Sequence, residues 1–119
     1  MIVIDAGHGG SELGSNYGNL REKDLNLKVA LKVKSILLSN DYEVIMIRTS
    51  DVTYHYNKRW QLANKKKADL FVSIHTNSIR PWAHGAFIMT PSNHDQSSSD
   101  NLANKIHIKY MIEDIWYDI

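Results

Sequence analysis

The sequence predicts an α/β fold, a three-layer sandwich whose mostly parallel sheet carries helices on both faces. Two observations lead there. Short runs of apolar, β-branched residues alternate with stretches whose apolar residues recur every three or four positions. That order, strand, helix, strand, helix, strand, builds a parallel sheet. The second observation is "LFVSI" at Leu70–Ile74, nearly continuous in β-favouring residues, the pattern of a strand buried on both faces.

The chain opens on "IVIDAGHGG". Ile2 to Ile4 read as a short buried strand, and Gly7, Gly9 and Gly10 allow a sharp turn after it. His8 therefore stands at a strand end. "DLNLKVALKVKSILLSN" then places Leu25, Val29, Val33 and Ile36 or Leu37 at helical spacing, with Lys28, Lys32 and Lys34 on other faces. "YEVIMIR" reads as a second strand and "TYHYNKRWQLANKKK" as a second helix. "ADLFVSIHTN" is the third strand and ends in His75. Beyond the loop "SIRPWAH", "GAFIMT" is a further short strand. The polar stretch "PSNHDQSSSD" leads into a last helix, "NLANKIHIKYMIEDI". At 119 residues, without internal repeats, the whole chain 1–119 reads as one domain.

Composition excludes several classes. There is no cysteine, so neither a disulfide framework nor a thiolate site is available, and any metal must be held by histidine and carboxylate. The formal net charge of +1 gives no broad basic footprint, so no nucleic-acid partner is expected. The basic run Lys65 to Lys67 reads as a solvated helix end. No apolar stretch approaches bilayer length, so no membrane partner is expected. The chain begins on a strand, not on an export leader. Work outside the cell would then require a leader already removed, or release by lysis.

The glycine-rich loop admits three readings. It lacks the lysine of a P-loop and the spacing of a dinucleotide fingerprint, which weakens a phosphate cradle. It could be a tight turn with an incidental histidine. It could also deliver a metal ligand, which needs partners. In parallel α/β sheets ligands bind beyond the carboxyl ends of strands, and His8 and His75 both stand there. The topology also offers Glu22, immediately before the first helix. Glu12 lies nearer in sequence, in a loop with no evident pin. Two neutral imidazoles and one carboxylate form a catalytic zinc set that leaves a position for water.

The blocks "IVIDAGHGG", "EKDLNLKVA", "RTSD", "RWQLANKKKADLFVSIHTNS" and "GAFIMT", in that order, resemble the zinc-dependent N-acetylmuramoyl-L-alanine amidases of the type-3 family, bacterial and phage cell-wall hydrolases. The resemblance runs from Ile2 to about Thr90, with a weaker echo in "SSSDNLANKI". Carried over residue by residue, it implies Zn2+ on His8, Glu22 and His75. It also implies peptidoglycan as the substrate, hydrolysis of the amide between N-acetylmuramic acid and L-alanine, and action outside the cell or in the cell wall.

Members of the family also carry a catalytic glutamate on a late strand, beyond the point where this sequence ends. The chain therefore reads as C-terminally shortened, and no catalytic residue is assigned. Glu113, Asp114 and Asp118 in "KYMIEDIWYDI" continue the last helical pattern and do not resemble that block. The missing glutamate motivates an alternative: a catalytically incomplete zinc- and cell-wall-binding module.

Other residues carry weaker readings. His55, His94 and His107 have no evident partner, while His84 could line a groove. Arg48 with Asp51, and Arg59 with Asn64, read as loop braces. Trp60, Tyr54 and Tyr56 could stack on sugar or simply pack. Asn77 is a candidate for orienting the site.

Overall fold

Strand β1 (Ile2–Ala6) lies between two parallel neighbours in a computed structural model that describes residues 1–76, 88–92 and 96–112. The described residues fall into two compact units, one within 1–79 and one within 80–119. Asn77, His84, His94, Glu113, Asp114 and Asp118, and residues 85–87 of the expected "GAFIMT" strand, lie outside the described residues, as does the side chain of His107.

In the first unit the sheet order is β4 (Val44–Met46), β1, β5 (Leu70–Ile74), all parallel. Helix α1 (Glu22–Leu38) connects β1 to β4, and α2 (Tyr56–Lys65) connects β4 to β5. Alternation along β1 sends its side chains to opposite faces. Ile4 and Ala6 pack with Ala30 of α1, joined by Leu27, Val33, Leu37 and Ile74. Val3 packs with Ile47 and with Ala63 of α2. Helices therefore cover both faces, as the periodicities predict. Complete burial of Val3 and Ile4 contributes about 1.5–3 kcal/mol each.

Two local expectations are corrected, and one element was not anticipated. The buried stripe of α1 is Glu22, Asn26 and Ala30 with Val33 and Leu37, whereas Val29 and Ile36 are exposed. Polar residues occupy the inner face at the N-terminal end of α1, so apolar spacing finds Val33 and Leu37 but misplaces the stripe before them. Strand β5 is not buried on both faces among the described residues: Phe71 and Ser73, on the α2 side, are exposed. A short hairpin, β2 (Asn16–Tyr17) with β3 (Leu20–Arg21), precedes α1. Its signal was present in "YGNL", where Gly18 takes a φ of 57° that suits a tight two-residue turn.

In the second unit, α3 spans Gln96–Ile112 and starts earlier than the apolar pattern suggests. Thr90 Oγ1 donates to Asp100 Oδ1 at 2.5 Å across its first turns. Residues 88–90 are not in a strand.

Candidate metal centre

The carboxyl ends of β1 and β5 are adjacent, since Ala6 pairs with Ile74 and Gly7 N donates to Ile74 O at 3.0 Å. His75 is the first residue after β5, and His8 the second after β1. Their rings meet edge to face, with centroids 4.9 Å apart and planes at 83°. Glu22, the first residue of α1, is 3% exposed and reaches both. Its Oε1 lies 3.0 Å from His75 Nδ1 and 3.3 Å from His8 Nε2. One ligand atom from each of His8, Glu22 and His75 lies within 4.8 Å of the others. The three residues singled out in the sequence are thus brought together, while Glu12 is exposed and outside the group.

Backbone donors fix the carboxylate. Ser15 N donates to Glu22 Oε2 at 2.8 Å, and Thr76 N to Oε1 at 3.2 Å. A negative charge at the first helical position also suits the helix dipole. Burial raises the Glu22 pKa, but the bonds from Ser15, His75 and Asn26 and the charge of His8 outweigh it, and the value falls from 4.5 to about 2. This carboxyl ionises more readily folded than unfolded. Its contribution to stability is therefore complete above pH 4.5 and disappears as pH falls toward about 2. In thermal melts of metal-free protein, wild type is expected to lose more stability than Glu22→Gln between pH 5 and pH 2.5; parallel losses would contradict this.

Two glycines keep the group open. A Cβ on Gly7 would overlap the His75 ring. A Cβ on Gly14 would stand 2.5 Å from His8 Cδ2 and 2.7 Å from Glu22 Oε2, on a backbone whose φ is +67°. Gly14→Ala is thus expected to destabilise the fold by about 1–3 kcal/mol and to displace two of the three side chains. Gly18→Ala, with a φ of +57° but nothing within 4 Å, should show only the backbone strain, about 1–2 kcal/mol. Paired denaturant titrations would separate the two effects.

The loop itself answers the phosphate reading. The amides of Gly7, Gly9, Gly10 and Ser11 donate to Ile74 O, Glu12 O, Asp51 Oδ1 and Thr53 Oγ1 respectively. A phosphate cradle needs those N–H groups free. Asp51 pairs with buried Lys23 at 2.6 Å, and Lys23 Nζ also donates to Gly10 O at 2.8 Å. Nothing in the residue pattern marks Lys23, at a helix start, as the buried partner of Asp51. Arg59 pairs with Asp5 and donates to Tyr54 O, Ala6 O and His8 O, the loop brace expected of it.

Beside the two histidines runs a cleft of about 280 Å3, lined by Tyr56, Trp60 and Phe71 as well as His8 and His75. Tyr56 and Trp60 are exposed, while Tyr54 packs against the α2-side core. His55 is exposed and stacks obliquely on Tyr56, a surface histidine as expected.

The donor set of two imidazoles and one ionised carboxylate, held open by glycines, fits a zinc ion.

Comparison with known proteins decides the lineage. The family model described as Amidase_3, N-acetylmuramoyl-L-alanine amidase, matches residues 2–114. The chain belongs to this amidase family. It is 49% identical over 80 residues to an endolysin of Bacillus phage SPP1, covering 66% of this chain and 29% of that protein. With the sporulation-specific N-acetylmuramoyl-L-alanine amidase of Bacillus subtilis it shares 46% identity over 80 residues, covering 65% of this chain and 31% of that protein. Among solved structures it is similar to the catalytic domain of the amidase CwlV from Bacillus (Paenibacillus) polymyxa var. colistinus. The TM-score is 0.64 at 40% identity, over 69% of this chain and 48% of that one. The chain thus spans about a third of the length of those curated amidase-family relatives and about half of that solved domain. No helix among the described residues is long and apolar enough to cross a membrane.

Proposed function

We propose that this chain carries the zinc-binding part of a peptidoglycan amidase, with His8, Glu22 and His75 as the protein ligands. The substrate bond is the amide between N-acetylmuramic acid and L-alanine, and the protein acts outside the cell or in the cell wall. The observation that carries this reading is the convergence of those three side chains within 4.8 Å, in a chain of the amidase family.

The protein's own residues have distinct tasks. Glu22 supplies the negative charge that imidazole ligands lack, and its bonds to Ser15 N and Thr76 N hold it in place and favour its ionised form. His8 and His75 are partly exposed, so the group is open on the side a substrate would approach. Trp60 and Tyr56 give the cleft an apolar wall beside the histidines, suited to packing against a sugar ring or a stem-peptide side chain. Bound zinc would supply Lewis acidity at the amide carbonyl and a hydroxide source near neutral pH.

The test is direct. Residues 1–119 are incubated with purified peptidoglycan, and new L-alanine amino groups are counted with zinc, with a chelator and after zinc is restored. Release that follows zinc supports the amidase reading. Zinc retained without release would replace it by the cell-wall-binding alternative.

A further inference from the structure

Arg48 is 3% exposed, and it forms no ion pair among the described residues. It spends its donors on carbonyls instead. Nε donates to Ala6 O at 2.9 Å and Nη1 to Ser50 O at 3.1 Å. Nη2 donates twice, to Gly7 O at 3.0 Å and to Lys23 O at 2.7 Å. Those last two carbonyls belong to the residue before His8 and the residue after Glu22.

This placement is unfavourable in itself. Burial and the nearby Arg59 guanidinium both depress the Arg48 pKa, the mark of a cation held where its charge is poorly solvated. Arg59 converges on the same turn, donating to Ala6 O at 3.0 Å and His8 O at 2.9 Å. His8 has a φ of 60°, in the left-handed region that a side chain disfavours. Two buried forks thus grip three successive carbonyls that carry a strained histidine, and only Arg48 also grips α1.

We infer that Arg48 is a positioning residue of the metal centre: its Nη2 ties the segment bearing His8 to the helix bearing Glu22 and sets their separation before an ion arrives. The inference rests on the zinc reading above. A lysine cannot do the same, because a single ammonium cannot present the planar fork that reaches both segments and Ala6 O at once.

Zinc affinity of the full chain, measured by competition with a chromogenic chelator, tests this on wild type, Arg48→Lys and Ile47→Ala. Ile47 is a buried core residue of the α2 side, so its truncation weakens the fold without touching the loop. Arg48→Lys is expected to bind zinc about 10–100-fold more weakly, the range for outer-shell partners of metal ligands, and to alter the cobalt(II) absorption spectrum. Ile47→Ala, read below its melting temperature, should match wild type in both. Equal affinity of Arg48→Lys and wild type, or equal loss in Ile47→Ala, would overturn the inference. Should Arg48→Lys not fold, wild type decides. Resolved Arg48 Nη proton signals in the metal-free chain support the clamp, whereas signals emerging only with zinc overturn it. Absence of zinc binding by wild type would overturn the metal reading itself, and the inference with it.

Discussion

Replacing His75 by alanine is expected to abolish zinc retention while leaving the chain folded. Among the described residues the group consists of His8, Glu22 and His75, one ligand atom from each lying within 4.8 Å of the others, so losing one leaves a two-ligand site. The loss should exceed the roughly 100-fold upper range that removal of an outer-shell partner costs. His75 is exposed and follows β5, which makes its truncation mild for the core. The control is His55→Ala, which removes the same side-chain type from the surface. Zinc should raise the melting temperature of wild type and His55→Ala by mass action and leave His75→Ala unmoved. Stabilisation of all three by zinc would show that the ion binds elsewhere.

Asp5→Ala should be the most destabilising of the simple truncations. Asp5 and Arg59 form a buried ion pair at 2.5 Å, with side chains 4% and 8% exposed. Ser73 Oγ donates to the other Asp5 oxygen at 2.8 Å. Removing the carboxylate strands a buried guanidinium, a change that costs about 3–5 kcal/mol. Ser73→Ala removes one hydrogen bond from the same carboxylate and should cost about 1 kcal/mol. Urea denaturation of the pair would show the ratio, and near-equal losses would contradict a buried, paired Asp5. Because Arg59 also donates to His8 O, Asp5→Ala should loosen the zinc site as well.

The fold class was legible because three apolar strands and two periodic helices alternate, and parallel pairing follows from that order. His8 and His75 were legible for a related reason: strand ends in a parallel sheet share one edge, and each histidine stands within two residues of a strand end. Glu22 was legible as an acid at a helix start. What escaped the sequence is the burial of polar residues. Asn26 is fully buried and Lys23 nearly so, which rotates the inner face of α1 away from Val29 and Ile36. Arg48 was legible as a loop brace, but not which segments it joins, since its partners are backbone carbonyls that no residue pattern advertises. The exposed side of β5 was misread because Phe71 and Ser73 carry β propensity without revealing what lies opposite them.

The most direct measurement is zinc-edge X-ray absorption on the purified, zinc-loaded chain. The account expects an inner shell containing imidazole nitrogen at about 2.0–2.1 Å, with the multiple-scattering signature of two histidines, and carboxylate oxygen at about 2.0–2.2 Å. That signature should be reduced to one histidine, or lost with the metal, in His75→Ala. A shell of oxygen alone, or a two-histidine signature that survives His75→Ala unchanged, would contradict the assignment of His8, Glu22 and His75.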